Sequence, residues 1–154
     1  MTKKWSYVFP GQGSQKVGMG RDLYDGFESA RHVFNSGDEI LGFPISRLIF
    51  EGPEEDLRQT INAQPALMIT SLACYEAAKS MVGESSNIRV PSFVAGHSLG
   101  EYTALAMAGV LDYSTAIYLA RERGRLMYEA GQKNPGGMAA ILGLDDNVVE
   151  KACA

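Results

Sequence analysis

A strand, a sharp turn and a helix are predicted in succession around Ser98, and this order limits the folds open to the chain. The apolar run Phe93–Ala95 stops at Gly96-His97-Ser98-Leu99-Gly100, and the small residues of Tyr102–Ala108 follow with helical character. A side chain at either glycine would collide with neighbouring segments in so tight a turn. The turn is also expected to strain the serine backbone and to leave the serine hydroxyl exposed.

A second glycine-rich loop follows the first apolar run. Trp5–Phe9 is aromatic and β-branched and breaks abruptly into Pro10-Gly11-Gln12-Gly13-Ser14-Gln15, which is typical of a strand that leads into a tight loop. Ligands gather at the carboxyl ends of strands in open α/β sheets, so both loops are expected to face one crevice. The loop can also be a simple turn, and a phosphate cradle is disfavoured because neither phosphate-binding glycine pattern is present.

The other periodic stretches predict helices that cover a parallel sheet. They comprise Glu28–Leu41, Ile45–Phe50, Ala66–Met81 with Pro65 in the first position, and Tyr113–Ala130 between an Asp112 cap and a Gly131 stop. Met138–Leu142 is expected to form a third strand, and a helix capped by Asp145 or Asp146 has barely begun at Ala154. Three strands make a thin sheet, so we expect part of a larger, truncated α/β fold.

Composition disfavours several classes of protein. The 154 residues are 45% hydrophobic with a formal net charge of −4, which is typical of a globular chain without an electrostatic footprint for nucleic acid. Cys74 and Cys153 have no metal-ligand or disulfide spacing, so we expect no metal site and a reducing, cytoplasmic setting. Polar residues interrupt the longest uncharged stretch, 59–75, so no membrane span is expected, and the N-terminus lacks a signal-peptide pattern.

Ser98 is the candidate nucleophile, because a serine in G-x-S-x-G between a strand and a helix presents its hydroxyl for reaction. The backbone N–H of Leu99 and the positive end of the following helix are aimed at the space above that hydroxyl, where an acyl oxygen would acquire negative charge. The pentapeptide alone is equally compatible with a tight turn whose serine caps the helix. The neighbouring glycine-rich loop favours catalysis.

Arg123 is the candidate anion-binding residue. At about 100° per residue it shares a helix face with alanines and other apolar residues, whereas Arg121 and Arg125 fall on the opposite side. A guanidinium on an apolar stripe needs an anion, because a buried unpaired charge is costly. That anion is either a carboxylate of the protein or a substrate carboxylate held by two hydrogen bonds. Beside an acylating serine, the second interpretation indicates an acyl group with its own carboxylate.

Four short motifs follow one another along the chain. They are Phe9-Pro-Gly-Gln-Gly-Ser-Gln15, Gln64-Pro-Ala-Leu67, Gly96-His-Ser-Leu-Gly-Glu-Tyr102 and Arg123-Gly124. In order and spacing they resemble the malonyl-CoA:acyl carrier protein transacylases of fatty-acid biosynthesis. The resemblance extends to Gly136-Gly-Met-Ala-Ala-Ile141 and Gly143-Leu-Asp-Asp146. It implies a truncated α/β-hydrolase-like parallel-sheet core over residues 1–131, and the start of an inserted ferredoxin-like small subdomain over residues 132–154.

The resemblance implies a transferase reaction and its participants. Ser98 would accept the malonyl group from coenzyme A as an ester and pass it to the phosphopantetheine thiol of acyl carrier protein. The backbone N–H groups of Gln12 and Leu99 would form the oxyanion hole, and Arg123 matches the arginine that pairs with the malonyl carboxylate. The implied partners are malonyl-CoA and acyl carrier protein. No cofactor is implied, because the coenzyme A thioester is itself the substrate.

The chain departs from the family at the general base. The family places this histidine well downstream of the serine turn, beyond position 154, so no residue is assigned the role. His97 matches the residue beside the nucleophile, and Gln64 matches a residue that lines the site. Successive side chains leave a strand on opposite faces, so His97 is poorly placed to take the Ser98 proton. His32 is expected on a covering helix, where a partly exposed histidine is ordinary.

Two alternative functions stay open. A serine esterase of the α/β-hydrolase type uses the same turn, although it is expected to carry a His-Gly-Gly-Gly oxyanion loop, which this sequence lacks, and has no use for an inward Arg123. A non-catalytic acyl-binding fragment would be a stable, monodisperse chain that forms no acyl-serine. The sequence does not separate a fatty-acid enzyme from a free-standing polyketide acyltransferase, and we expect the former because these 154 residues show no flanking domain.

Overall fold

Two short strands and eight helices make up the described part of the chain. A computed structural model describes residues 4–82, 91–137, 139 and 141–154. The strands are β1 (Ser6–Phe9) and β2 (Phe93–Gly96). The helices are α1 (Arg21–Gly26), α2 (Glu28–Leu41), α3 (Ile45–Glu51), α4 (Glu54–Arg58), α5 (Thr60–Met81), α6 (Gly100–Met107), α7 (Tyr113–Lys133) and α8 (Asp146–Cys153).

The two strands form the small parallel sheet that the sequence predicts. Ser6 pairs with Phe93 and Phe9 pairs with Gly96, and the connection between the strands runs through α1 to α5. Parallel strands need such a long crossover, and their carboxyl ends then lie at one edge of the sheet. At this edge the backbone N–H of His97 donates to the carbonyl oxygen of Phe9 at 3.1 Å. The two glycine-rich loops are therefore adjacent, as predicted.

Helix α5 is the centre of the helical core. Its consecutive residues Leu67, Met68 and Ile69 are all buried, and consecutive helical positions point about 100° apart. Neighbouring elements must therefore cover α5 on more than one side. Helices α2 and α7 supply most of this cover, with Phe34 of α2 and Ile117 of α7 in the same apolar cluster. The prediction of a helix buried most of the way round is confirmed.

The prediction that Pro65 opens this helix is wrong, because α5 begins at Thr60. A proline inside a helix cannot donate to the carbonyl four residues earlier, which here belongs to Ile61. Nη1 of Arg121 donates to that carbonyl at 2.8 Å and to Oδ1 of Asn62 at 2.6 Å. Helix α7 thus supplies the hydrogen bond that the proline cannot make. The prediction that Arg121 faces away from the core is also wrong, and burial lowers the pKa of its guanidinium.

Helix α7 begins as predicted and ends later than predicted. Its N-cap Asp112 accepts a hydrogen bond from the backbone N–H of Thr115 at 2.7 Å. The predicted stop at Gly131 is wrong, since α7 continues to Lys133 and the N–H of Asn134 still donates to the carbonyl of Ala130 at 2.9 Å. Glycine permits a left-handed stop but does not impose one, because it is sterically free in either hand.

The last part of the chain differs from expectation where it is described. Met138 and Ala140 of the predicted third strand lie outside the described residues, and Ala139, Ile141 and Leu142 form no strand. The helix that follows is present as α8, with Asp145 as its N-cap residue. Helices α1 and α4 were not predicted, because each is too short to show a period. Within the described ranges, every helix is too short or too polar to cross a bilayer.

One face of the sheet is poorly covered in the described chain. Val8 of β1 is 76% exposed and Phe93 of β2 is 66% exposed. On the other face, where Tyr7 packs against α5, a cavity of about 530 Å³ opens between β1 and α5, with Leu67 and Cys74 in its mostly apolar lining. The strands therefore bury much less apolar surface than the helices do.

Candidate active site

Ser98 lies at the sheet edge in a strained backbone conformation. Its φ of 53° makes it the one non-glycine residue with positive φ in the described chain. Such a conformation costs an ordinary L-residue about 1–2 kcal/mol. A Cβ at Gly96 would overlap the backbone of Gly100, and a Cβ at Gly100 would overlap the carbonyl of Phe9. The predicted need for both glycines is therefore confirmed: they let the turn close tightly enough to hold the serine.

Helix α6 begins directly after the serine turn. The backbone N–H groups of Gly100 and Glu101 donate to the carbonyls of His97 and Ser98, at 2.8 and 3.1 Å. Near this turn, the N–H of Leu99 donates to no backbone carbonyl of the described residues, and the same holds for the N–H of Gln12 in the adjacent loop. Each of the two loops at the sheet edge thus contains a backbone donor without a backbone acceptor among the described residues, and α6 begins beside one of them.

The guanidinium of Arg123 reaches the serine from α7. Its Nη2 donates to Oγ of Ser98 at 3.0 Å, and its Nη1 donates to Oε1 of Gln64 at 2.6 Å. Among the described residues, no carboxylate forms an ion pair with Arg123. The alternative in which an acid of the protein neutralises this arginine is therefore not realised in the described chain. The half-buried cation is next to a hydroxyl and an amide oxygen, neither of which carries a negative charge.

The other arginines of α7 have different surroundings. Arg121 fills the gap in the α5 hydrogen bonding and also packs over the ring of Phe43 at 4.7 Å. Arg125 pairs on the surface with Glu122 at 2.8 Å and with Glu129 at 2.6 Å, and these hydrogen bonds raise the pKa of its guanidinium. Arg123 alone of these three contacts the serine.

Gln64 is completely buried, and each end of its amide has a polar partner. Its Oε1 accepts from Arg123, while its Nε2 donates to Oγ1 of Thr60 at 2.7 Å and contacts Sδ of Met127 at 3.2 Å. Oγ1 of Thr60 in turn donates to Oε1 of Gln12 at 2.8 Å. Sequence reasoning missed Thr60, because the expected start of the helix at Pro65 left this residue in a loop.

Both histidines are exposed in the structure. The His97 side chain is exposed, and its Nδ1 lies against Gly11, where a Cβ would collide with it. The hydrogen bond that Oγ of Ser98 accepts comes from Arg123. His32 lies exposed on α2.

Close packing of α5 against α7 sets the distance between Gln64 and Arg123. A Cβ at Gly124 would lie 2.7 Å from the carbonyl oxygen of Thr60 and 2.9 Å from the Cα of Ile61, closer than side chains tolerate. Glycine at this position lets the two helix backbones approach directly. The residue before it, Arg123, is thereby brought within hydrogen-bonding distance of the Gln64 amide.

A strained serine between a parallel strand and a helix, with a cation beside it, is typical of α/β proteins that form an acyl-serine. Residues 6–153 match the acyl transferase domain, and the chain belongs to this family. The resemblance seen in the sequence motifs is thereby confirmed.

Individual relatives narrow the comparison. The chain is 48% identical over 148 residues to the malonyl CoA-acyl carrier protein transacylase of Bacillus subtilis, an alignment that covers 96% of this chain and 45% of the relative. The crystal structure of an acyl-carrier-protein S-malonyltransferase from Burkholderia pseudomallei is similar with a TM-score of 0.84 and 42% identity, over 98% of this chain and 47% of that one.

A third relative was solved with its partner bound. It is a malonyl-transacylase in complex with its type II PKS acyl-carrier protein, and it matches with a TM-score of 0.82 and 40% identity over 98% of this chain and 47% of that chain. In all these comparisons the chain spans about half the length of the relative it matches.

Proposed function

We propose that this chain holds the nucleophile, the oxyanion donors and the carboxylate-binding arginine of a malonyl-CoA:acyl carrier protein transacylase. The whole protein would transfer a malonyl group from malonyl-CoA to the phosphopantetheine thiol of acyl carrier protein. The observation that carries the proposal is the hydrogen bond of 3.0 Å between Nη2 of Arg123 and Oγ of Ser98. This bond places a cation beside a strained serine. Among the described residues, the cation has no carboxylate partner.

The reaction would proceed in two acyl transfers. Oγ of Ser98 attacks the thioester carbonyl of malonyl-CoA, a C–O bond forms, the C–S bond breaks, and coenzyme A leaves as the thiol with the serine proton. The phosphopantetheine thiol then attacks the malonyl ester, and the proton returns to the serine. The N–H groups of Gln12 and Leu99 would stabilise the oxyanion in both steps, and loss of one such donor typically costs about 3 kcal/mol of transition-state stabilisation.

Arg123 would select the acyl group. A guanidinium offers two parallel N–H donors that match a carboxylate, so it favours malonyl over acetyl groups. Its present acceptors, Oγ of Ser98 and Oε1 of Gln64, are neutral and leave the charge available to an anionic ligand. Gln64 would hold the guanidinium in place through its amide oxygen, and His97, in the turn after β2, would line the site.

The remaining proposals concern the architecture and setting of the protein. Residues 1–131 are proposed as part of an α/β-hydrolase-like core, and residues 132–154 as the start of a ferredoxin-like subdomain. The parallel strands and the serine turn support the first assignment. A cytoplasmic setting is supported by the free thiols of Cys74 and Cys153. No residue of this chain is assigned the role of general base.

The proposal is tested by acyl labelling of the 154-residue chain. The chain is incubated with malonyl-CoA and acetyl-CoA separately, and intact mass and peptide mapping locate any adduct. Labelling is expected to be slow, since general-base assistance is typically worth about 10²–10⁴-fold in rate. A malonyl adduct on Ser98 that disappears in Ser98→Ala is expected. Arg123→Ala should slow malonyl labelling about 10- to 100-fold, the value of a charge-assisted hydrogen bond, and should change acetyl labelling much less.

Arg125→Ala is the matched control, because it removes a surface arginine of the same helix. Equal labelling by the two thioesters would contradict carboxylate selection. Rapid loss of either label to water would favour the esterase alternative. A folded chain that forms no acyl-serine would favour the non-catalytic acyl-binding alternative.

A further inference from the structure

A line of polar side chains joins the two loops of the candidate site through α5. It runs from Arg123 to Gln64, from Gln64 to Thr60 and from Thr60 to Gln12, with hydrogen bonds of 2.6, 2.7 and 2.8 Å. We propose that Thr60 is a positioning residue that locks the Gln12 loop to Gln64 and thereby to Arg123. The inference rests on the proposed function, because it assigns the loop and the arginine to oxyanion and carboxylate binding.

The hydrogen-bonding chemistry of each group fixes the direction of this line. Arginine has no acceptor, so the buried Gln64 amide must turn its oxygen toward Arg123. Its NH₂ group then faces Thr60, whose hydroxyl must accept. The hydroxyl proton of Thr60 is left to donate, and Oε1 of Gln12 receives it. The charge on Arg123 therefore orients every group in the line.

Burial makes the Gln64 amide dependent on this arrangement. Its side chain is 0% exposed, and a buried amide that loses a partner pays the desolvation cost of the unpaired group. If the amide turned over, its NH₂ would face the guanidinium donor and its oxygen would face the threonine. Thr60 holds the NH₂ end and so helps to keep the oxygen toward Arg123.

Thr60 also ties a loop to a helix. Within the Gln12 loop, the N–H of Gly13 donates to Oε1 of Gln15 at 2.7 Å, and Oγ of Ser14 donates to the carbonyl of Gly11 at 2.9 Å. These bonds shape the loop but do not attach it to α5. The hydrogen bond from Thr60, the first residue of α5, makes that attachment. The β-branched side chain has restricted χ1 freedom, so threonine holds its hydroxyl more firmly than serine would.

The experiment compares Thr60→Val, which keeps the shape and removes the hydroxyl, with Thr60→Ser, which restores a hydroxyl. NMR on the ¹⁵N-labelled chain measures, without ligand, backbone hydrogen exchange at Gly13, whose N–H is hydrogen-bonded to Oε1 of Gln15, and then the affinity for malonate. Thr60→Val should speed exchange at Gly13 and weaken malonate binding, each by about 3- to 10-fold, the range of one net hydrogen bond. Thr60→Ser should recover most of both effects.

Thr70→Val is the matched control, because Thr70 lies on the same helix and its hydroxyl donates to the carbonyl of Ala66. Unchanged exchange at Gly13 in Thr60→Val, or an equal change in Thr70→Val, would overturn the proposal. If Thr60→Val fails to fold, Gln12→Met removes the same hydrogen bond from the exposed end. It should then speed exchange at Gly13, and unchanged exchange there would overturn the proposal.

The two levels of inference can fail separately. If malonate does not bind the unsubstituted chain, carboxylate recognition by Arg123 fails, whereas the ligand-free exchange data still decide whether Thr60 holds the loop. If malonate binds and Thr60→Val leaves both its affinity and the exchange rates unchanged, the proposed function stands and the positioning role is wrong.

Discussion

The helical core and the strand pair of this chain differ in how deeply their apolar side chains are buried. Phe34 and Ile69 of the core are completely buried, whereas Val8 and Phe93 of the strands are mostly exposed. Helices satisfy their backbone hydrogen bonds internally and need neighbours only for their apolar faces, whereas strands need neighbours for both. The candidate nucleophile belongs to the less covered region. Its strained backbone is therefore held by close backbone contacts at the sheet edge and not by extensive apolar burial.

The largest effect is expected in the helical core. Phe34→Ala should lower the free energy of unfolding by about 3–5 kcal/mol, because it leaves a cavity among α2, α5 and the ring of Phe50. Val8→Ala should change it by no more than about 0.5 kcal/mol, since the valine is exposed. Urea unfolding followed by circular dichroism measures both. Similar losses for the two variants would remove the contrast between the regions.

A smaller effect is expected at the sheet edge. Gly96→Ala should cost about 1–3 kcal/mol in the free energy of unfolding, because the new methyl group overlaps the Gly100 backbone. Gly131→Ala is the opposite case: the glycine is helical and nothing lies within 4 Å of an added Cβ. That substitution should stabilise the chain by about 0.4–1 kcal/mol. The pair is measured by the same urea titration, and a loss of stability in Gly131→Ala would contradict the observed packing.

Two substitutions of Ser98 separate the cost of its backbone strain from the effect of losing its hydroxyl. Ser98→Gly and Ser98→Ala both remove the hydroxyl and its bond to Arg123, but only glycine relaxes the positive φ. The glycine variant should be more stable than the alanine variant by about 1 kcal/mol. Thermal unfolding of the two variants side by side decides the point. Equal melting temperatures would mean that the turn stores no strain at this residue.

The smallest change in stability is expected for substitutions at the start of α7, and its size depends on pH. Hydrogen bonds from the Ser114 hydroxyl and from the N–H and hydroxyl of Thr115 lower the pKa of Asp112 from 3.8 to about 2. A carboxylate with a lowered pKa stabilises the fold above its ordinary pKa and loses that contribution as the pH falls toward the folded value. The wild-type chain should therefore exceed Asp112→Asn in melting temperature at pH 6, and the difference should shrink between about pH 4 and pH 2.

High salt should not abolish the cap, because its hydrogen bonds are local, although it reduces the charge contribution of an exposed group. A difference between wild type and Asp112→Asn that stays constant down to pH 2 would show that the carboxylate charge does not matter. Asp112→Ala, which offers no acceptor, should be the least stable of the three at pH 6.

Local signals predicted most of the elements correctly. The strand before Pro10, the helix Glu28–Leu41 and the N-cap at Asp112 all depend on residues close together in sequence. The start of α5 was predicted wrongly because proline is typical of the first turn of a helix. Pro65 is tolerated inside α5 because Arg121, on another helix, donates the hydrogen bond that the proline cannot make. A pattern on one helix cannot reveal a hydrogen bond that is supplied by another.

The residues of the candidate site also differ in how well the sequence predicted them. Spacing predicted the turn at Ser98, and the structure brings Arg123 and Ser98 together. Helical phase was only partly right on α7, because Arg121, which it placed on the outer side, bonds to α5, and Met127, which it placed inward, is exposed. The roles of Gln12 and Gln64 came from resemblance alone and stay proposals. Thr60 gave no signal, because its partner Gln12 lies in a loop whose position depends on the whole crossover between the strands.

The contact at Gly124 has a consequence for how specificity can change. A residue with no side chain sets the spacing between the helix that holds the guanidinium and the helix that holds the amide beneath it. Any larger residue would push these helices apart and move the cation relative to the serine, without altering the serine, the arginine or the glutamine themselves. Under the proposed function, the position of the carboxylate-binding cation would therefore depend on a glycine in the packing layer behind the site.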